Sequence, residues 1–148
     1  MKHLKKIFIA AIILIAFISS ANAAAVEQQV SFEILTDDQV TGSRAAPVNG
    51  DVRQGETDCH TYTPVNGQKL EVSLTWDRAA SGNDLDLCIC PPGLDPIRLQ
   101  DEIDGRSDGK ISIGISLTPS IINQTWEFDV TGSQVSGTQS YTLIINSY

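Results

Sequence analysis

Leu70-Glu71-Val72-Ser73-Leu74-Thr75-Trp76 is the stretch that decides the fold. Leu70, Val72, Leu74 and Trp76 fall on one face of an extended chain; Glu71, Ser73 and Thr75 fall on the other, together with Lys69. Successive side chains of a strand leave opposite faces, so this alternation predicts a half-buried antiparallel strand. The same period of two recurs on either side of it. In Asp84-Leu85-Asp86-Leu87-Cys88-Ile89-Cys90, Leu85, Leu87 and Ile89 share a core face, and Asp84, Asp86, Cys88 and Cys90 share the opposite one. Pro91-Pro92-Gly93 ends that strand, because proline cannot donate to a ladder. Ile111, Ile113, Ile115 and Leu117 alternate in the next strand. Trp126, Phe128 and Val130 follow, with Gly132 in the turn after them, and Tyr141, Leu143 and Ile145 form the last. Towards the N-terminus, Val30, Phe32 and Ile34 alternate, and residues 59–65 form a Thr/Tyr-rich strand. Asn66-Gly67, directly after it, is a hairpin signal. Residues 37–55, with Gly42, Pro47, Asn49-Gly50 and Gly55, read as loop. Seven or so short strands with turn-rich links predict an all-β, jelly-roll-like antiparallel β-sandwich. Its interior is expected to take Leu70, Leu74, Trp76, Leu85, Leu87, Trp126 and Leu143.

The first 23 residues have a different character. Lys2, Lys5 and Lys6 precede an unbroken apolar run over residues 7–18, then Ser19, Ser20 and the small-residue triplet Ala21-Asn22-Ala23. This is the pattern of a secretory signal peptide cut after Ala23, and a cut after Ala25 also satisfies the rule. The run is shorter than the roughly 17–25 apolar residues that a spanning helix needs, which favours cleavage over anchoring. The expected organisation is a signal peptide over 1–23, an N-terminal strand and loop over 24–48, and a sandwich over 49–148. Of 10 Lys+Arg and 18 Asp+Glu, the leader removes three lysines and no acid, which leaves 7 basic against 18 acidic residues, a formal charge of −11. That charge argues against nucleic acid and anionic lipid as partners. With no further apolar stretch long enough to span, the processed chain is expected to be secreted, periplasmic or on the cell surface, with no membrane partner.

One block of the chain resembles a known family. Leu70-Glu-Val-Ser-Leu-Thr-Trp76, the Ser81-Gly82-Asn83 turn, Asp84-Leu-Asp-Leu87 and Pro91-Pro92-Gly93 are similar to the L-x-V-x-L-x-W, N-D-L-D-L and P-x-G pattern of the bacterial and archaeal pre-peptidase C-terminal domain. The block is also similar to the jelly-roll domain that follows the catalytic domain of some subtilisin-like proteases. Gly55-Glu56, Trp126-Glu-Phe-Asp-Val130 and Gly137 through Tyr141-Thr142-Leu143 match the later parts of the pattern in order, so the resemblance covers about residues 49–146. It implies a β-sandwich that accompanies exported peptidases and other enzymes without being one. Related modules bind extracellular polymers or aid secretion, and some hold calcium. This sequence carries no catalytic domain beside the block, and Cys88 and Cys90 stand where the family strand commonly carries hydrophobic or aromatic residues.

Three constellations bear chemistry. Asp84 and Asp86 at a strand start, with Asp101, Glu102, Asp104 and Asp108 in the polar loop 100–109, are the candidate calcium ligands, since hard cations take several oxygen ligands. Their spacing is not that of an EF-hand, and turn carboxylates also bond their own backbone. Cys59, Cys88 and Cys90 are the candidate disulfide residues, Cys59 pairing with Cys88 or Cys90 if those strands are neighbours; export permits the bond. Free thiols and a Cys–His metal site that includes His60 are the other readings, although adjacent Cys59 and His60 leave opposite faces of a regular strand. No G-x-S-x-G or H-E-x-x-H motif occurs, and no nucleophile–base–orienter set is complete, so catalysis is not expected. Asn123-Gln124-Thr125 is a glycosylation sequon. The expectation is an exported binding or accessory module for an extracellular polymer or protein, such as an exported peptidase, with no required cofactor beyond the candidate calcium. The alternative is a structural component of the cell envelope that assembles through strands or a Cys bridge.

Overall fold

A computed structural model describes residues 30–35, 46–65, 68–117 and 121–148. Residues 1–29, which include the expected signal peptide, 36–45, the Asn66-Gly67 pair and 118–120 lie outside the described residues. Among the described residues nine strands run in chain order: β1 (Ser31–Ile34), β2 (Val48–Val52), β3 (Thr57–Tyr62), β4 (Lys69–Trp76), β5 (Asp84–Cys90), β6 (Ile97–Leu99), β7 (Lys110–Ser116), β8 (Trp126–Gln134) and β9 (Gln139–Ser147). One short helix, α1 (Arg78–Ser81), joins β4 to β5. A 3₁₀ turn, Asp101–Asp104, lies between β6 and β7.

The strands form two antiparallel sheets, β1-β7-β4-β9-β2 and β3-β8-β5-β6. Set aside β1, and the orders β7-β4-β9-β2 and β3-β8-β5-β6 are those of an eight-stranded jelly roll, with β1 added beside β7. The all-β sandwich is therefore as the alternation predicts. Leu70, Val72, Leu74 and Trp76 of β4 meet Leu85, Leu87 and Ile89 of β5 and Trp126, Phe128 and Val130 of β8 in one interior, closed by Leu143 and Ile145 of β9. Trp126 and Phe128 stack in it with ring centroids 6.4 Å apart. Each such aromatic removes roughly 150–250 Å² from water.

A polar network also ties the sheets together. Tyr141 of β9 points inward and its hydroxyl donates to Asp58 Oδ2 at 2.8 Å. With its one proton so committed, the oxygen accepts from His60 Nε2 at 2.6 Å. Burial, then the bond to Asp58, pushes the Tyr141 phenol well up, which keeps it a neutral donor. Gly50 of β2 lies against that ring, where an added Cβ would sit 2.3 Å from the phenol oxygen.

Four expectations need correction. Residues 48–52 are strand, not loop: β2 pairs with β9 from Val48↔Leu143 to Val52↔Gln139, and its Asn49-Gly50 lies inside a ladder where backbone pairing overrides turn preference. Asn66-Gly67 does not join a hairpin, because β3 and β4 belong to different sheets. Gly132 is inside β8, where it is buried and where an added Cβ would lie 2.2 Å from Arg53 O; it is the close approach that lets the β2–β3 corner bond β8. The outward face of β4 is not uniformly solvated either. Glu71 is only 2% exposed, and both carboxylate oxygens are shielded and without a hydrogen-bond partner.

Burial raises the Glu71 carboxyl, partly offset by the field of Lys110. A carboxyl raised in the folded state favours folding when protonated and opposes it when ionised. Glu71→Gln is expected to raise the urea midpoint at pH 7. The gain should shrink as pH falls through the raised carboxyl range, because Glu71 itself then becomes neutral; denaturation curves at pH 7 and near pH 4 check both signs.

Candidate functional site

The turn between β4 and β5 is built by local capping. Asp77 accepts from Ala80 N at 3.0 Å, and Gly82 closes α1 in the left-handed region with its N–H on Arg78 O. This presents Arg78 to the start of β5. Its Nη1 donates to Asp84 Oδ1 and Asp101 Oδ2 at 2.5 Å each, with Glu102 Oε1 at 3.6 Å. Asp101 is buried, and its other oxygen accepts from the backbone N–H groups of Gly109 and Lys110 at 3.0 Å. The carboxylate thus folds the 100–109 loop back on itself. Burial pushes the Asp84 carboxyl up despite Arg78, and the fields of Glu102, Asp101 and Asp86 add to the rise.

Of the six candidate calcium ligands, the fold brings Asp84, Asp101 and Glu102 together. The guanidinium already stands at their point of convergence. Asp86 lines a separate small depression with Arg98, Gln100, Glu102 and Ile103. Asp104 caps its own turn through Arg106 N at 2.8 Å, and Asp108 is exposed. An ion at Asp84 and Asp101 would have to displace Arg78 first. The sequence reading missed Arg78 as the cation of this cluster; its signal was a basic residue directly after a helix-capping Asp.

The next residue of the motif is structural as well. Asn83 is buried; its side chain donates to Gln139 Oε1 at 3.0 Å and accepts from Ser136 N at 2.8 Å, and its carbonyl accepts from Trp76 Nε1 at 2.9 Å. The Asn83-Asp84 pair therefore fastens the β4–β5 turn to the β8–β9 turn on one side and to Arg78 on the other.

The thiols lie on the outer face of the second sheet. Cys59 faces Asp129, and Asp129 faces Cys88, in register across β3, β8 and β5; Cys90 faces Glu127. A bridge from Cys59 to Cys88 or Cys90 is overturned by this order. β8 stands between the two strands, two ladder spacings come to about 9–10 Å, and a disulfide needs Cα atoms within about 7 Å. All three cysteines are free. Cys88 Sγ and Cys90 Sγ are 3.9 Å apart. The Asp129 hydrogen bond, then burial, pushes the Cys59 thiol up to about 11. Burial, then the Cys88 bond, pushes Cys90 up to about 11 as well. Such thiols are protonated at neutral pH and are poor nucleophiles. His60 faces the interior, on the opposite side of β3 from Cys59 and of the sheet from Cys88 and Cys90, so it pairs with none of the three thiols.

Two further features are exposed. An open polar depression of about 600 Å³ lies on the outer face of the first sheet, where Thr75, Thr142 and Asn49 are in register across β4, β9 and β2, with Asp51, Ser140 and Asp77 beside them. Thr142 donates to Asn49 Oδ1 and Ser140 to Asp51 Oδ1, which aligns these groups. Asn123 of the sequon is exposed in a turn with φ 68°, a conformation that asparagine tolerates better than most residues. No family model matches the chain, and no curated protein matches its sequence.

Arg78 is expected to make the β4–β5 corner independent of calcium. The thermal midpoint should be the same in millimolar calcium and in chelator. Arg78→Leu, which strands buried Asp101 without its cation, should cost about 2–3 kcal/mol in urea unfolding.

Proposed function

We infer that this chain is an exported, non-catalytic binding module that engages an extracellular polymer through the outer face of its first sheet. The observation that carries this reading is the depression over β2, β4 and β9, where hydroxyl, amide and carboxylate groups stand in rows on a rigid ladder. Such an array suits a ligand rich in hydroxyls, because fixed strands hold the donors and acceptors at set spacings. The leader pattern of residues 1–23 supports export. The resemblance of residues 49–146 to the pre-peptidase C-terminal domain supports an accessory role beside an exported enzyme. The inward-facing His60 and the protonated thiols support a function without bond chemistry.

Co-sedimentation with insoluble polysaccharides and isolated cell walls tests it. The chain should be retained, and Thr142→Arg, which fills the centre of the depression, should weaken retention by about tenfold or more, equivalent to about 1.4 kcal/mol. Thr131→Arg on the opposite sheet should leave it unchanged. Failure to bind any of these polymers, or equal retention of both variants, would discard the reading.

A second reading, a cell-envelope component assembling through strands or a Cys bridge, rests on one observation: Cys59 is exposed on β3, an edge strand of the second sheet. Edge strands offer unpaired backbone groups to another chain. Gel filtration with and without reductant checks it. A larger species that reductant dissociates, and that Cys59→Ser never forms, is the outcome this reading requires.

A further inference from the structure

We propose that Cys88, Cys90 and Asp129 form a binding site for a thiophilic divalent cation of the zinc class on the outer face of the second sheet, with Cys59 as the residue that positions the carboxylate. The two thiols and one Asp129 oxygen all lie within 4.8 Å of one another. The cysteines are two apart on β5, so the pleat aims both to the same side, and Asp129 stands directly opposite Cys88 on β8. A tetrahedral zinc ion with Zn–S bonds of about 2.3 Å holds its sulfurs about 3.8 Å apart. The Cys88 and Cys90 sulfurs are already 3.9 Å apart.

An independent observation points to the same place. Asp129 Oδ1 is closed off from solvent and has no hydrogen-bond partner. An acceptor left in that condition costs free energy unless something supplies positive charge. On the far side Cys59 stands directly opposite Asp129 on β3, placed as outer-shell donors are that orient ligating groups. Hard cations such as calcium want six or more oxygens, which this face does not offer, whereas two sulfurs and one oxygen suit zinc and its congeners. As the ion binds, the Cys88 and Cys90 protons leave to solvent and both sulfurs bind as thiolates. Three protein ligands leave a fourth position for water or for an incoming donor.

The test is titration of the reduced, desalted full-length chain with Co²⁺, read by its absorption. One equivalent should give a thiolate-to-metal charge-transfer band and tetrahedral ligand-field bands, which stoichiometric Zn²⁺ bleaches. Cys88→Ser and Cys90→Ser should each abolish or halve the charge-transfer band. Asp129→Asn should weaken binding by more than tenfold. Cys59→Ser should weaken it by about ten- to a hundredfold while the band per bound ion is kept, which a direct ligand could not do. Asp104→Asn, away from the site, should change nothing. Far-UV circular dichroism of each variant separates loss of the site from loss of the fold. The absence of a thiolate band, a band that survives Cys88→Ser at full intensity, affinity unchanged in Asp129→Asn, or a Cys88–Cys90 disulfide in the chain isolated from its own compartment would each overturn the assignment.

Discussion

The alternation of β5 is the constraint on which the rest of the molecule depends. It sends Leu85, Leu87 and Ile89 into the interior shared with β4 and β8, and by the same geometry it sets Asp84, Asp86, Cys88 and Cys90 on the outer face. A slip of one residue would exchange the two sets, placing two carboxylates in the core and three large apolar side chains in water. Asn83 and Asp84 guard against that slip. Their bonds to Trp76, Gln139, Ser136 and Arg78 fix where β5 begins. The packing of the second sheet and the placement of Cys88 and Cys90 therefore come from one short strand and the corner that starts it.

That corner also shows how an acidic chain handles buried charge. Asp101 is fully enclosed, yet two backbone N–H groups and a guanidinium satisfy it. A carboxylate paired in this way organises its loop, whereas an unpaired one is a liability. Glu71 is the contrast, enclosed on β4 without a hydrogen-bond partner. Glu71 stands between Leu70 and Val72 and Asp101 between Gln100 and Glu102; neither setting foretells a buried acid, and the tertiary surroundings decide its partners.

The interior was legible because burial leaves a period-two imprint; all seven residues expected there, from Leu70 to Leu143, are buried. β2 and β6 were not legible. Val48-Asn-Gly-Asp-Val52 buries only Val52, and Ile97-Arg-Leu99 is too short to show a period. Asn66-Gly67 misled for a different reason: a local turn preference cannot say whether the following strand rejoins the same sheet or crosses to the other. The thiols were placed on the right face but given the wrong partners, because strand order within a sheet is set by long-range pairing. Asp129 had a readable signal, the same face as Trp126's outward neighbours, yet its meeting with Cys59 and Cys88 depends on β8 lying between β3 and β5.

β9 follows every other strand in sequence, yet it lies within its sheet, bonded to β4 on one side and β2 on the other. Before it arrives, β2 has no partner in that sheet, and the apolar face of β4 lacks the neighbour that carries Leu143 and Tyr141. Folding is therefore deferred. The β2–β9 and β4–β9 ladders can form only once residues 139–147 are available, and they then close over contacts distant in sequence. The last ladder to form thus sets when the sandwich can close, and its contacts are long-range ones.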